Sequence, residues 1–390
     1  MKWVNSLMIL SFCLTQEINW QRIEQIQEGY QYTINTNSNG NLVAGGMDLS
    51  GDYQMQLYYK QNNDDWIEIP GNESVPIMSG DVLISENDNI YVCDFAMGLY
   101  RTYNLGYTWS APSEISFDGC SAFNIHENGT FFMSMTYSGI GFIHRSFDSG
   151  SSWEAISLPD FDNNYPVEHI EFDSVGNIFL GTINGIYKSI DNGNNWQKMN
   201  DGIDGEHVSS LFVDENDNIF IYTTFSSMAD GMYYSNDLAE SWIEIPIPDY
   251  YVIDLAVKNN IIMIIDGFNN IQMSNDFGNS WYISNDGLND NSLYHLHLAD
   301  NDIIYAGGRY IHSADFVINE CPLAGDINND NQLNIMDAIL FVNCILINGC
   351  NQCSDLNDDG VTNVIDIILL INLILKQGSY TQIEKLKLIK

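Results

Sequence analysis

Ser189-Ile190-Asp191-Asn192-Gly193-Asn194-Asn195-Trp196 decides the fold, because the same phrase returns at a nearly fixed interval along the chain. Upstream it reads Ser146-Phe147-Asp148-Ser149-Gly150-Ser151-Ser152-Trp153 and Thr102-Tyr103-Asn104-Leu105-Gly106-Tyr107-Thr108-Trp109. Downstream it is repeated from Ser235 through Asp237 to Trp242, and from Ser274 through Asp276 and Gly278 to Trp281. With Trp20 and Trp66 these tryptophans form a series of seven, spaced 46, 43, 44, 43, 46 and 39 residues apart. A period of roughly 40–50 residues is the signature of a propeller or solenoid. The Asp or Asn of each phrase is suited to accept backbone N–H bonds across a hairpin turn, and the Gly to adopt the positive φ that the turn requires.

Before each phrase lies a short run such as Asn89-Ile90-Tyr91-Val92, Asn177-Ile178-Phe179-Leu180 or Asn218-Ile219-Phe220-Ile221. Such β-branched and aromatic runs, bounded by Asn, Asp and Gly, read as strands. Taken as inner strands they number seven, from Asn41-Leu42-Val43-Ala44 to Asp302-Ile303-Ile304-Tyr305. A second strand enters the phrase and the tryptophan opens another, which predicts four-stranded blades. The last repeat stops at Ser313-Ala314-Asp315 without a tryptophan, whereas Asn19-Trp20-Gln21-Arg22 matches Asn195-Trp196-Gln197-Lys198. The N-terminal segment is therefore expected to supply the outer strand of the last blade, closing the ring and covering two sheet edges.

The repeated phrase resembles the Asp-box of bacterial neuraminidase repeats and of sortilin-type propellers, over roughly residues 20–315. The resemblance implies a mainly β fold, a seven-bladed β-propeller. It does not carry sialidase activity with it. That chemistry clamps a carboxylate with three guanidinium groups, and beyond the leader only Arg22, Arg101, Arg145 and Arg309 are present. Arg101 and Arg145 directly precede their boxes, and Arg309 alone is placed for the opposite face. On that face, between second and third strands, Phe95, Tyr137, Phe225, Phe268 and Arg309 are candidate ligand-binding residues, joined by Met97, Met228 and Tyr310. Aromatic rings there suit stacking on a sugar or gripping a peptide; plugging the channel mouth is the structural alternative. His295 and His297 share one face of a strand and are read as channel lining rather than metal ligands.

The periodicity ends near Cys321. Asp326, Asn328, Asp330, Gln332, Asn334 and Asp337 then occupy positions 1, 3, 5, 7, 9 and 12 of a loop, and Asp355, Asn357, Asp359, Val361, Asn363 and Asp366 repeat the spacing 29 residues later. Alternating oxygens of this kind converge on a calcium ion, position 7 through its backbone carbonyl. Each loop runs into an apolar helix. The duplicated loop-plus-helix unit, with Asp at position 12, resembles a dockerin domain over residues 321–376. The resemblance implies two calcium ions and docking to a cohesin-like module. Asn331 stands where the first loop would have its turn glycine, so the second loop, with Gly360, is expected to bind more tightly. The helices lack a basic pair, which leaves docking on this chain's own propeller open.

Thirteen basic residues against 52 acidic ones give a net charge of −39. A surface of that sign repels nucleic acid and anionic lipid, and no run is long enough to span a bilayer. Residues 1–16 read as a signal peptide; Leu10-Ser11-Phe12-Cys13 has too bulky a residue before its cysteine for a lipoprotein box. Six cysteines remain, consistent with disulfides in an oxidising compartment, although Cys350-x-x-Cys353 leaves a zinc site open. The expected organisation is a propeller over residues 17–318, a dockerin-like domain over 319–376 and a tail over 377–390. The expected role is a bacterial secreted or cell-surface binding protein, recognising an extracellular glycan or protein and anchored by its calcium module. A dockerin-tethered glycoside hydrolase is the alternative.

Overall fold

A computed structural model describes residues 18–387 except 50–54, 63, 71–79, 95–97, 112–118, 138–139, 160–166, 204–206, 225–229, 249–250, 259–260, 290–291, 300–301, 316–324, 328–332, 347–353, 355 and 358–361. The expected signal peptide, Cys321, Cys350 and Cys353 lie outside the described residues. Ile18–Val317 make one compact unit, and Ile318–Lys390 belong to a second.

The first unit is a seven-bladed β-propeller. Six antiparallel sheets have four strands each and one has three. The blades follow in order over residues 29–69, 80–110, 120–156, 167–198, 207–245, 252–283 and 295–315, the last completed from the N-terminus. Strand Gln21–Arg22 pairs with Ile311–Asp315, Gln21 opposite Ser313 and Arg22 opposite His312. Trp20 is buried, donating its indole N–H to the Ser284 carbonyl at 2.9 Å. The closure expected from the Asn19–Arg22 match is therefore present. The second blade departs from the expected four strands. After Gly98–Thr102 the described residues add one bridge, Arg101 opposite Ser110.

One expectation needs correcting. The apolar runs are the second strands of their blades, and the strand before each is the innermost. The seven first strands neighbour one another around the ring. Second strands such as Ile178–Thr182 and Ile261–Asp266 are buried throughout, being covered on both faces by adjacent blades. That is why they read as continuous hydrophobic runs. The first strands, exemplified by Val167–Phe172, alternate buried and partly open residues because one face looks into the central channel.

The box turns behave as their chemistry dictates. Asp191 accepts the Asn195 backbone N–H at 2.8 Å, and Ser189 Oγ accepts the Gly193 N–H at 2.9 Å while donating to Asp191. Gly193 has φ +77°, and Asn192 before it also takes a left-handed φ of 57°. In the fifth blade the pair is Leu238 and Ala239, at φ 61° and 66°. Inter-blade packing adds a disulfide between Cys93 of the second blade and Cys120 of the third.

In the second unit, helix α1 (Ile335–Leu346) and helix α2 (Val364–Lys387) pack around Phe341 and Leu370. Asn334 and Asn363 cap them, each Oδ1 accepting the N–H two residues on at 2.8 Å. This is ordinary N-cap chemistry. Among the described residues no helix is long and apolar enough to cross a membrane.

Candidate functional site

The box turns lie at the end of each blade where the third strand finishes. The opposite face carries the turns between second and third strands and the beginnings of the innermost strands. In five blades the innermost strand changes register near that face: between Tyr30 and Thr33, opposite Ser134/Met135, and before His169, Ser210 and Asp254. A β-bulge re-aims the side chains that follow it. Here it presents Asp254 and His169 to the channel, and the bulged residue Glu168 reaches His207 of the next blade at 2.8 Å.

The channel wall near this face is titratable. Asp254 of the sixth blade accepts His295 Nδ1–H of the seventh at 3.1 Å and the Leu296 N–H at 2.8 Å. His295 Nε2 lies 3.1 Å from the Ile34 carbonyl of the first blade, so both ring nitrogens donate when it is protonated. Burial would depress the His295 pKa, but its bond to Asp254 and the charge of that carboxylate outweigh this and raise it. His297 stacks beside His295 with ring centroids 6.2 Å apart and bonds Thr36. Burial and the neighbouring His295 push its pKa down to about 3, so it stays neutral. His207 is raised by its hydrogen bond to Glu168.

Asp81 and Glu171 have no hydrogen-bond or ion-pair partner among the described residues. Asp81, on the innermost strand of the second blade, is exposed to solvent. Glu171, in the fourth blade, is pushed up to about 8 by burial and by the charge of Asp254.

Aromatic residues rim the mouth over three consecutive blades. Tyr30, Tyr251 and Phe268 are 47%, 52% and 68% exposed. Tyr294, directly before His295, has its phenol pushed up to about 12 by burial and then by the charges of Asp81 and Asp254, with Tyr30 and Tyr251 in its field. Gly267 N–H donates to the Tyr251 carbonyl at 2.7 Å, which fixes Phe268 beside it. Gly29 N–H donates to the Arg309 carbonyl at 3.0 Å and Tyr32 N–H to that of Gly308 at 3.2 Å, stitching the first blade to the seventh.

Of the residues nominated from sequence, Phe268 stands on this rim, and Arg309 stands at the same face, ion-paired with Glu28. Tyr310 lies under Arg22, 3.8 Å from guanidinium carbon to ring centroid. Tyr137 ends strand Phe131–Tyr137, opposite Ile140. Phe95, Met97, Phe225 and Met228 lie outside the described residues. His295 and His297 line the channel. Asp81, Glu171, Asp254, Tyr30, Tyr251 and Tyr294 were not nominated. Their signal was register: Asp81, His169 and Asp254 each pair three rungs along from the residue opposite the box Ser or Thr.

In the C-terminal unit Asn328, Asp330, Gln332, Asp355, Asp359 and Val361 lie outside the described residues. Asp326, Asp337 and Asp366 are fully buried. The two loops are built alike: Asp337 accepts the N–H of Ile327 at 3.0 Å and of Asn334 at 2.8 Å, and Asp366 those of Leu356 at 3.0 Å and Asn363 at 2.9 Å. The two carboxylates thus hold the two loops in the same way. Among the described residues no group of three or more His, Cys, Asp or Glu is arranged to hold a metal.

No family model matches the chain, and no curated protein matches it in sequence. Solved structures do match. YCF48 bound to D1 peptide aligns with a TM-score of 0.59 at 14% identity, over 78% of this chain and 96% of that one. PorZ, a surface component of the type-IX secretion system of Porphyromonas gingivalis, aligns at 0.56 and 15% over 73% of this chain. The extracellular domain of the hybrid two component system BT3049 from B. thetaiotaomicron aligns at 0.56 and 14% over 77% of this chain. This chain spans 46% and 42% of the lengths of those two. At such identities the likeness is one of fold.

Proposed function

We propose that this chain is a secreted binding protein whose propeller recognises an extracellular peptide or glycan at the box-free mouth, and whose C-terminal unit anchors it through calcium-dependent docking. The observation that carries the reading is the rim of Tyr30, Tyr251 and Phe268, exposed around a channel mouth that the fold otherwise has no reason to leave apolar. Similar propellers include one with a bound peptide and others from surface and extracellular proteins, which supports the compartment and the mode. The test is binding of the full chain to a glycan array and to immobilised extracellular peptides. Tyr251→Ala and Phe268→Ala should each abolish whatever is captured; unchanged capture would remove the mouth from the account.

The docking surface of the second unit is proposed on the helices. Ile339, Val342, Ile368 and Ile371 are exposed, while Leu340, Ile345, Ile367 and Ile374 pack against the helix core. The exposed apolar residues lie on both helices, four on α1 and six on α2. A cohesin-like module is the proposed partner, and two calcium ions held by the residues of the two loops would fold the surface.

A hydrolase reading draws on one observation, that Glu171 is held protonated near neutral pH in a channel shared with Asp254, as acid catalysis at a glycosidic bond requires. Release of reducing ends from polysaccharide, lost in Glu171→Gln, would establish it.

A further inference from the structure

Besides the rim aromatics, the box-free mouth carries a chain of acid, imidazole and hydroxyl that the binding role does not use. His207 opens the innermost strand of the fifth blade, His207–Val213, and Thr224 closes the strand beside it, Ile219–Thr224. The two residues stand directly opposite in the ladder, so their side chains emerge on one face. Thr224 Oγ1 lies 3.0 Å from His207 Nδ1. The third member comes from the fourth blade. Glu168 is the extra residue of the bulge between Val167 and His169, and its carboxylate meets His207 Nε2 at 2.8 Å.

Folding does not require this chain. The imidazole and carboxylate side chains are 32% and 36% exposed and Thr224 is half-buried, so water could satisfy all three, and an ion pair this open adds little to stability. The bonds do fix a tautomer. An ionised carboxylate only accepts, so the proton of the neutral imidazole sits on Nε2, and the Nδ1 lone pair accepts the Thr224 O–H. A hydroxyl bonded to a base, itself oriented by an acid, is the arrangement that activates a nucleophile, and it is recognised by roles rather than by sequence order. Which ring nitrogen meets which partner does not alter those roles. Tyr222, on the same face of its strand as Thr224, packs edge-on against Tyr251 of the rim, ring centroids 6.0 Å apart. The exposed rim thus reaches the strand that ends in the hydroxyl.

We infer that Thr224, His207 and Glu168 hydrolyse carboxylic esters brought to the mouth, with Thr224 Oγ1 as the nucleophile. Oγ1 bonds to the ester carbonyl carbon as its proton passes to His207 Nδ1. The bond from that carbon to the alkoxy oxygen then breaks, and the proton leaves with the alcohol. Water next attacks the acyl-threonine and gives a proton to Nδ1, which returns it to Thr224 Oγ1 as the acid departs. Ester and water become acid and alcohol, and the three side chains end as they began. Glu168 holds the imidazole in place and stabilises its charged form.

The test uses the full chain and para-nitrophenyl acetate, with nitrophenolate release followed by absorbance. The parent should exceed the buffer blank. Its rate should rise with pH through the titration of His207, whose pKa is raised by the bond to Glu168, to a plateau where the imidazole is neutral. Thr224→Val keeps the side-chain shape and should lower the rate at least about hundredfold, the scale of general-base catalysis, with the melting temperature in place; Thr224→Ser should retain activity. Glu168→Gln should move the midpoint of the pH–rate profile downward. A fluorophosphonate probe should label Thr224 in the parent and not in His207→Gln. Release no faster than the blank, or labelling of Thr224 that survives His207→Gln, overturns the inference. So does hydrolysis that persists in Thr224→Val, which would make His207 itself the attacking group.

Discussion

Lys188 of the fourth blade donates its ammonium to the backbone carbonyl of Leu238, 2.8 Å away in the box turn of the fifth. Leu238 is the left-handed residue of that turn, so the carbonyl turned outward by its conformation is the one the neighbouring blade uses. The relationship recurs. Arg101 donates to Ser149 and Arg145 to Asn192, each the left-handed residue of the following box. In the fifth blade Tyr234 packs edge-on against Phe277 of the sixth at 5.6 Å. The residue before each of these boxes thus fastens the next.

Lys188→Met should therefore destabilise the propeller although it keeps most of the apolar stem. Loss of a partner for a turned-out carbonyl costs about 1–3 kcal/mol, and the ion pair to Glu240, largely exposed on the acid's side, adds little. Thermal unfolding reads the change; an unaltered midpoint would show that the lacing is incidental.

Ala239→Gly should stabilise or leave stability unchanged. Ala239 sits at φ 66° where the other boxes have glycine. Relief of the left-handed strain, about 1–2 kcal/mol, competes with the larger unfolded-state freedom of glycine, about 0.4–1 kcal/mol. Gly278→Ala should go the other way and further, because a Cβ there would meet the Pro246 carbonyl at 2.3 Å. The Gly278→Ala midpoint should fall, and that of Ala239→Gly should not.

Trp20→Ala should cost about 3–5 kcal/mol, as for other large buried aromatics. Deletion of residues 18–24 should open the ring, seen as loss of cooperative unfolding. A deletion variant that melts like the parent would refute closure by this strand.

Stability should fall as pH rises from about 5 towards 8. Glu171, His207 and His295 all have raised folded-state pKa values, so their contributions are present below the unfolded values and are lost as pH climbs through the folded ones. His297, depressed to about 3, acts oppositely below pH 6.5. Asp148, held near 2 by Ser152 and then Ser146, loses its contribution only in strong acid. Glu171→Gln should flatten the alkaline side of the profile up to about pH 8; a profile parallel to the parent's would remove Glu171 as its cause.

Two calcium ions should bind the full chain. Asp337→Ala and Asp366→Ala should each remove one from a calorimetric titration and lower its helix content, with the Asp366 site the tighter in the parent. A chelator that changes neither helix signal nor melting would remove calcium from these loops.

The blade count and the ring closure could be read in the sequence because both are written in local chemistry: a turn that needs Asp and Gly, and a tryptophan after it. The identity of the innermost strand could not, since the runs with the strongest hydrophobic signal are those covered on both sides, and the channel wall is diluted by its open face. The mouth was half legible. Phe268 and Arg309 lie in turns and announce themselves, whereas Asp81, Glu171 and Asp254 are single residues on separate strands that meet only once the ring has closed. The bulges that aim His169 and Asp254 leave no mark of their own in the sequence.

Gln21 is made early and Ser313, its partner, near the end of the propeller. At roughly 5–20 residues per second of synthesis, the segment ending at Arg22 waits on the order of 15–60 s for the strand that will hold it. For that interval the Trp20 ring and one unpaired edge are shared by no neighbour, and any other nascent copy of the same chain carries a matching vacancy. The first strand is thus made long before the strand that receives it, so closure of the ring is the last step in assembling the propeller.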